Sequence, residues 1–94
     1  CVAICISNLA AVALDQEDWP GAEALAREAL PLSEKVRRLE GIAACCFSLA
    51  TALVRQGKRD EALPYAQRAM DTYVQLGLAL GIEAARETLE ECEA

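Results

Sequence analysis

From Val2 to Gln16 apolar side chains fall almost all round a helical wheel, the pattern of a helix covered on more than one side. Beyond Trp19-Pro20-Gly21 the apolar positions narrow to a stripe, with Ala22, Leu25, Ala26, Ala29 and Leu30 at three- and four-residue spacing. Asp18 is placed to cap this second helix. Trp19 and Pro20 lie in its first turn, where a proline's missing N–H costs nothing. The helix is predicted from about residue 19 to the high thirties, with a bend or stop near Arg27 to Pro31, because an interior proline removes one backbone bond and collides with the carbonyl four residues back. A third helix is predicted from about Leu39 to Gln56, closed by Gly57 as a left-handed cap. A fourth runs from Arg59 or Asp60 to just before Gly77, and Pro64 either delays its start or loosens its first turn. The fifth occupies about Leu78 onward. No stretch alternates with the period a strand requires, and no biased linker divides the chain. The predicted fold class is therefore all-α, in one domain over residues 1–94.

Sliding the sequence against itself by forty residues brings like onto like. Cys5 falls on Cys45, Leu9 and Ala10 on Leu49 and Ala50, Ala22, Ala26 and Ala29 on Ala62, Ala66 and Ala69, and Gly41 and Ile42 on Gly81 and Ile82. Each unit reads as a helix, a tight turn and a second helix, and the recurrent alanines sit where two backbones must approach to about 8 Å. Small side chains at such crossings predict that Ala62→Leu or Ala69→Leu overpacks the array. Glu23, one position from Ala22, reads as solvated and replaceable by leucine without loss. In the last helix Leu89 keeps the large slot, but Glu90 and Glu93 occupy the next small and apolar slots. The architecture expected is two repeats, over about 1–38 and 39–77, plus a capping helix over about 78–94.

The pattern of Leu9-Ala10 with Ala13, then Ala22 and Ala29, repeated as Leu49-Ala50 with Leu53, then Ala62 and Ala69, resembles the tetratricopeptide repeat, a pair of antiparallel helices stacked into an α-solenoid. There are departures. Ile6 and Cys46 fill the slot of a bulkier residue, and Ala13 and Leu53 stand where the family carries tyrosine. Pro31 lies three residues before the place of the closing proline. The forty-residue period exceeds the family's thirty-four and is similar to a longer variant found in bacterial multidomain ATPase regulators and animal polarity scaffolds. An unrelated five-helix bundle is the plainer alternative.

The resemblance implies a concave groove lined by the first helix of each unit, which holds an extended peptide or a partner helix. Carried over by position, its lining is Ile4, Ser7, Ala11, Leu14 and Asp15, then Ala44, Phe47, Thr51, Val54 and Arg55, then Ala84, Glu87 and Glu91. The paired lysines and asparagines with which some members clamp a terminal carboxylate are not reproduced. The implied groove is apolar in the middle and acidic at its C-terminal end, which calls for a protein or peptide partner with an apolar anchor and a basic flank.

Charge narrows the partner class. Fifteen Asp and Glu against nine Lys and Arg, a net charge of −6 over 94 residues, argue against nucleic acid, whose phosphates need a basic face. No apolar run reaches the roughly 20 residues of a spanning helix, so no membrane partner is expected. Histidine is absent, and with it the usual general base, and no glycine-rich phosphate loop occurs; neither an enzyme nor a cofactor is predicted. Cys1, Cys5, Cys45 and Cys46 would together supply four thiolates for zinc or redox chemistry, but two are adjacent in sequence and Cys5 and Cys45 share one repeat slot, so packing explains them better. Reduced thiols suit a cytoplasmic setting. The function predicted is a protein-interaction module. The alternative is a sensing or self-association array at the C-terminal end of a larger bacterial regulatory ATPase or transcription regulator. The apolar first helix adds the expectation that more of the protein lies N-terminal and that residues 1–14 self-associate.

Overall fold

The computed structural model describes residues 12–35 and 37–93. Residues 12–15 are helical and form the described part of α1; α2 spans Trp19–Lys35, α3 Leu39–Arg55, α4 Arg59–Leu76 and α5 Ala79–Glu93. Each of α2 to α5 packs on its neighbour in sequence, and α3 also touches α5. Among the described residues no such backbone approach joins α2 to α4. The first helices of successive units thus share a surface, while the second helices are held apart at the backbone.

The spacing of the small residues explains this arrangement. Ala22, Ala26 and Ala29 of α2 and Ala62, Ala66 and Ala69 of α4 are all at most 1% exposed, and they face the large side chains of α3. Leu49 and Leu53 stand between Ala26, Ala62 and Ala66, while Cys45 and Cys46 lie with Ala29, Leu30, Ala69 and Ala85. A third cluster joins Ala13 to Ala22 and Ala52, so α1 is tied to α2 and α3 by small residues as well. Burial of α3 against three helices explains why its apolar residues run almost continuously, whereas α4, which meets α3 and α5 through the single stripe of Ala62, Ala66, Ala69 and Thr72, shows a clean pattern.

The joints between helices repeat every twenty residues. Glu17, Arg37, Gly57 and Gly77 all adopt positive φ, between 54° and 80°. The amide of the following residue reaches back five positions each time, Asp18 to Ala13, Arg38 to Ser33, Lys58 to Leu53 and Leu78 to Tyr73, at 2.8 to 3.1 Å, the Schellman closure of a helix. The same residue's carbonyl then accepts the first bond of the next helix, from Ala22, Ile42, Ala62 and Ile82. A residue that ends one helix and starts another leaves no slack, so successive helices must fold back as hairpins. Asp18 caps α2 through Oδ1, which accepts from the Gly21 amide at 3.2 Å.

Of the alternatives at each proline, the stop at Pro31 and the late start at Pro64 are overturned. Pro31 lies inside α2 and does not stop it, and Pro64 lies inside α4 without delaying its start at Arg59. Both prolines are exposed, so the ring points to solvent. Buried residues on both sides of Pro31, Ala29, Leu30 and Ser33, hold the helix together across the missing bond. Glu23 is also corrected, since it is not a solvated bystander. Its carboxylate accepts from Gln56 Nε2 at 2.8 Å and Arg27 Nε at 3.0 Å, with Lys58 Nζ 3.6 Å away. It therefore ties α2 to the α3–α4 joint.

Candidate functional site

Alpha-3 carries two kinds of surface. Ala43, Cys45, Cys46, Leu49, Ala50, Ala52 and Leu53 are buried, whereas Ala44, Phe47, Thr51 and Val54 form a stripe at three- and four-residue spacing that stays partly open, ending on exposed Arg55. Alpha-5 lies beside this stripe. Val54 borders the cluster that includes Leu89 and Cys92, and Arg55 Nη2 donates to Glu91 Oε1 at 3.4 Å. Phe47 packs its inner side on the cluster of Cys45, Cys46 and Ala85. Between them Thr51 Oγ1 is buried and finds no hydrogen-bond partner among the described residues.

The remaining predicted lining residues fall as follows. Leu14 is half-buried against Ala13, Ala22 and Ala52 at the end of α1, and Asp15 next to it is exposed. Ala84 is half-buried on α5 and Glu87 is exposed there. Ile4, Ser7 and Ala11, with the self-association expectation for residues 1–14 up to position 11, lie outside the described residues. Phe47, Thr51, Val54, Arg55 and Glu91 thus belong to one continuous strip across two helices, and Leu14 sits apart from it in a separate cluster. The Arg55–Glu91 pair was not foreseen. The two residues come from different repeats, and their sequence separation carries no signal of contact.

The thiols show what burial does to reactive groups. Cys46 is fully buried, and burial pushes its thiol up to about 11, with Arg68 only partly opposing the shift. It therefore stays protonated at neutral pH, a poor nucleophile and a poor metal ligand. Ser33 Oγ and Cys45 Sγ lie 3.9 Å apart in the interior. Cys1 and Cys5, needed for a four-thiolate site, lie outside the described residues, and no metal-holding cluster of Cys, Asp or Glu occurs among those described. A hollow of about 330 Å³ lies at the α3–α4 joint, lined by Gly57, Lys58, Arg59, Asp60 and Glu61, and no residue of the α3 stripe borders it.

Antiparallel helix pairs joined by identical tight turns, with small residues at every crossing and first helices side by side, define an α-solenoid of hairpin repeats. The family model for the tetratricopeptide repeat matches residues 2–75, and the chain belongs to that family. No curated protein and no solved structure gives a match. Repeats of this family mediate protein–protein interaction and are typically non-catalytic. No helix among the described residues is long and apolar enough to cross a membrane.

Proposed function

We propose that the open stripe of α3, together with the adjoining side of α5, binds an extended peptide or partner helix that carries an apolar anchor and a basic flank. The observation that carries this reading is the partial exposure of Ala44, Phe47, Thr51 and Val54 on a helix whose remaining residues from Ile42 to Leu53 are all buried. A half-buried aromatic centred on such a strip is the usual anchor of an interface. Glu87 is exposed on the neighbouring helix and, among the described residues, forms no ion pair, which suits a cationic flank.

The test is selection of peptides from a random displayed library on the intact chain, followed by binding measurements on variants. Sequences with an apolar anchor next to Lys or Arg should be enriched. Phe47→Ala should weaken them at least tenfold, while Leu63→Ala, on exposed surface of α4, should not. Because the inner side of Phe47 is packed, the variant is expected to lose about 1–2 kcal/mol of stability as well, so affinity is measured well below its melting temperature. Glu87→Lys should lower the association rate and its sensitivity to salt. Enriched peptides that bind Phe47→Ala as tightly as the parent would sink the proposal.

A further inference from the structure

The α2–α3 and α4–α5 joints occupy the same end of the array and share one backbone geometry, yet they carry opposite surfaces. Residues 34–40 read EKVRRLE and residues 74–80 read VQLGLAL. Position for position, Glu34 becomes Val74, Arg38 becomes Leu78 and Glu40 becomes Leu80, with the reach-back bonds to Ser33 and Tyr73 unchanged. The backbone therefore does not demand apolar side chains there. Val74 is nevertheless 55% exposed, Leu78 44% and Leu80 84%, and Leu39 of the first joint is 43% exposed. Scattered single exposures need no explanation, but a cluster within seven residues on a chain this short marks a contact surface.

Charge says what covers it. Around the apolar joint stand Asp71 on α4 and Glu83 on α5, both exposed. The other joint presents Lys35, Arg37 and Arg38, none of which forms an ion pair among the described residues, while its Glu34 is already held by Arg68 at 2.8 Å. One end of the molecule thus carries, side by side, an apolar joint flanked by acids and a basic joint bearing one exposed leucine. The geometry points to a second copy of this chain as the occupant. In a two-fold, end-to-end dimer the basic joint of each copy lies on the acid-flanked apolar joint of the other, so Leu39 meets Val74, Leu78 and Leu80, and Arg37 and Arg38 meet Asp71 and Glu83, twice over. The surface is separate from the α3 stripe and does not depend on it.

Sedimentation of the intact chain across a concentration series tests this. The expected result is a monomer–dimer equilibrium that weakens as salt is raised and whose dissociation constant rises at least tenfold in Leu80→Glu, with helicity unchanged because Leu80 is almost fully exposed. Two charge-reversed variants, Arg37→Glu/Arg38→Glu and Asp71→Lys/Glu83→Lys, should each fail to dimerise alone and should form a heterodimer when mixed. Glutamate already occupies the equivalent turn position at residue 17, so the first variant is compatible with the fold. A monomer at every concentration would overturn the inference. So would an association indifferent to Leu80→Glu, or a mixture of the two charge-reversed variants that stays monomeric. Phe47→Ala, which weakens peptide binding, leaves the dimer's dissociation constant at the parent's value, which keeps the two surfaces experimentally distinct.

Discussion

Ala62 and Ala69 illustrate how little room a residue has at a helix crossing. Each is 0% exposed, so the methylenes of Ala62→Leu or Ala69→Leu have nowhere to go, and each variant is expected to lose about 1–3 kcal/mol in urea unfolding. Midpoints equal to the parent's would show that the helices are not in close contact there. Glu23 acts by charge instead. Its carboxyl is held below its ordinary 4.5, first by the Gln56 hydrogen bond and then by Arg27 and Lys58, against the opposing cost of burial. A lowered folded-state value means that this stabilisation is present above the unfolded value and is lost as pH falls through the folded one. Thermal midpoints should therefore drop on acidification below about pH 4.5 more steeply in the parent than in Glu23→Gln, and parallel curves would remove Glu23 from the account. Leucine at this position deletes three polar contacts, so it is expected to destabilise rather than to pass unnoticed.

At the scale of elements, the four joints are built alike from unlike residues. Gly57 and Gly77 meet the positive φ at no steric cost, but Glu17 and Arg37 adopt φ of 60° and 54°, where an L side chain costs about 1–2 kcal/mol. Glu17→Gly and Arg37→Gly should each recover part of this, a gain of up to about 1 kcal/mol after the extra chain entropy of glycine is subtracted, whereas Gly57→Ala should lose about 1 kcal/mol. Calorimetric midpoints of the three variants check both signs, and a loss on Glu17→Gly would mean that its side chain contributes more than its backbone strain costs. The last helix differs from α3 by the same logic of position. Ala43, Cys46, Ala50 and Leu53 are buried in α3, and forty residues on, the equivalent slots are Glu83, Arg86, Glu90 and Glu93, all exposed. Charge at these slots keeps that face of α5 solvated.

For the molecule as a whole, α3 is the keystone, since it alone of the described helices packs on α2, α4 and α5 together. Stability in such an array is a chain of neighbour terms, and a chain of 94 residues has little to spare. Leu49→Ala, in the middle of α3 at 0% exposure, should cost about 2–5 kcal/mol and lower one global transition. Leu89→Ala on α5, a partly buried side chain at the edge of the cluster that holds Leu49 and Leu53, should instead loosen that helix first, seen as faster amide exchange over 79–93 with protection in α3 retained. Equal loss of protection in both helices would show that the array unfolds as one unit.

The class and the repeat were legible because they depend on spacing. Alanines at 22, 26 and 29, and again at 62, 66 and 69, can only serve a close crossing, and the glycines at 57 and 77 announced their turns. The turns at Glu17 and Arg37 were not announced, since glutamate and arginine carry no preference for positive φ and are held there by the reach-back bonds of the fold. The stripe of Phe47, Thr51 and Val54 came from the resemblance to the repeat family, carried over by position, while its partial exposure depends on where α5 comes to rest, and the Arg55–Glu91 pair on how two repeats stack. Helices at Pro31 and Pro64 continue for a related reason: local propensity argues for a break, and burial on either side outweighs it. Sequence by itself determined the elements, their order and the residues that must be small, because these follow from short-range geometry. Only the tertiary structure decided which polar residues meet, which apolar residues stay open and which weak local preferences are overruled, because each of those is settled by contacts between residues far apart in the chain.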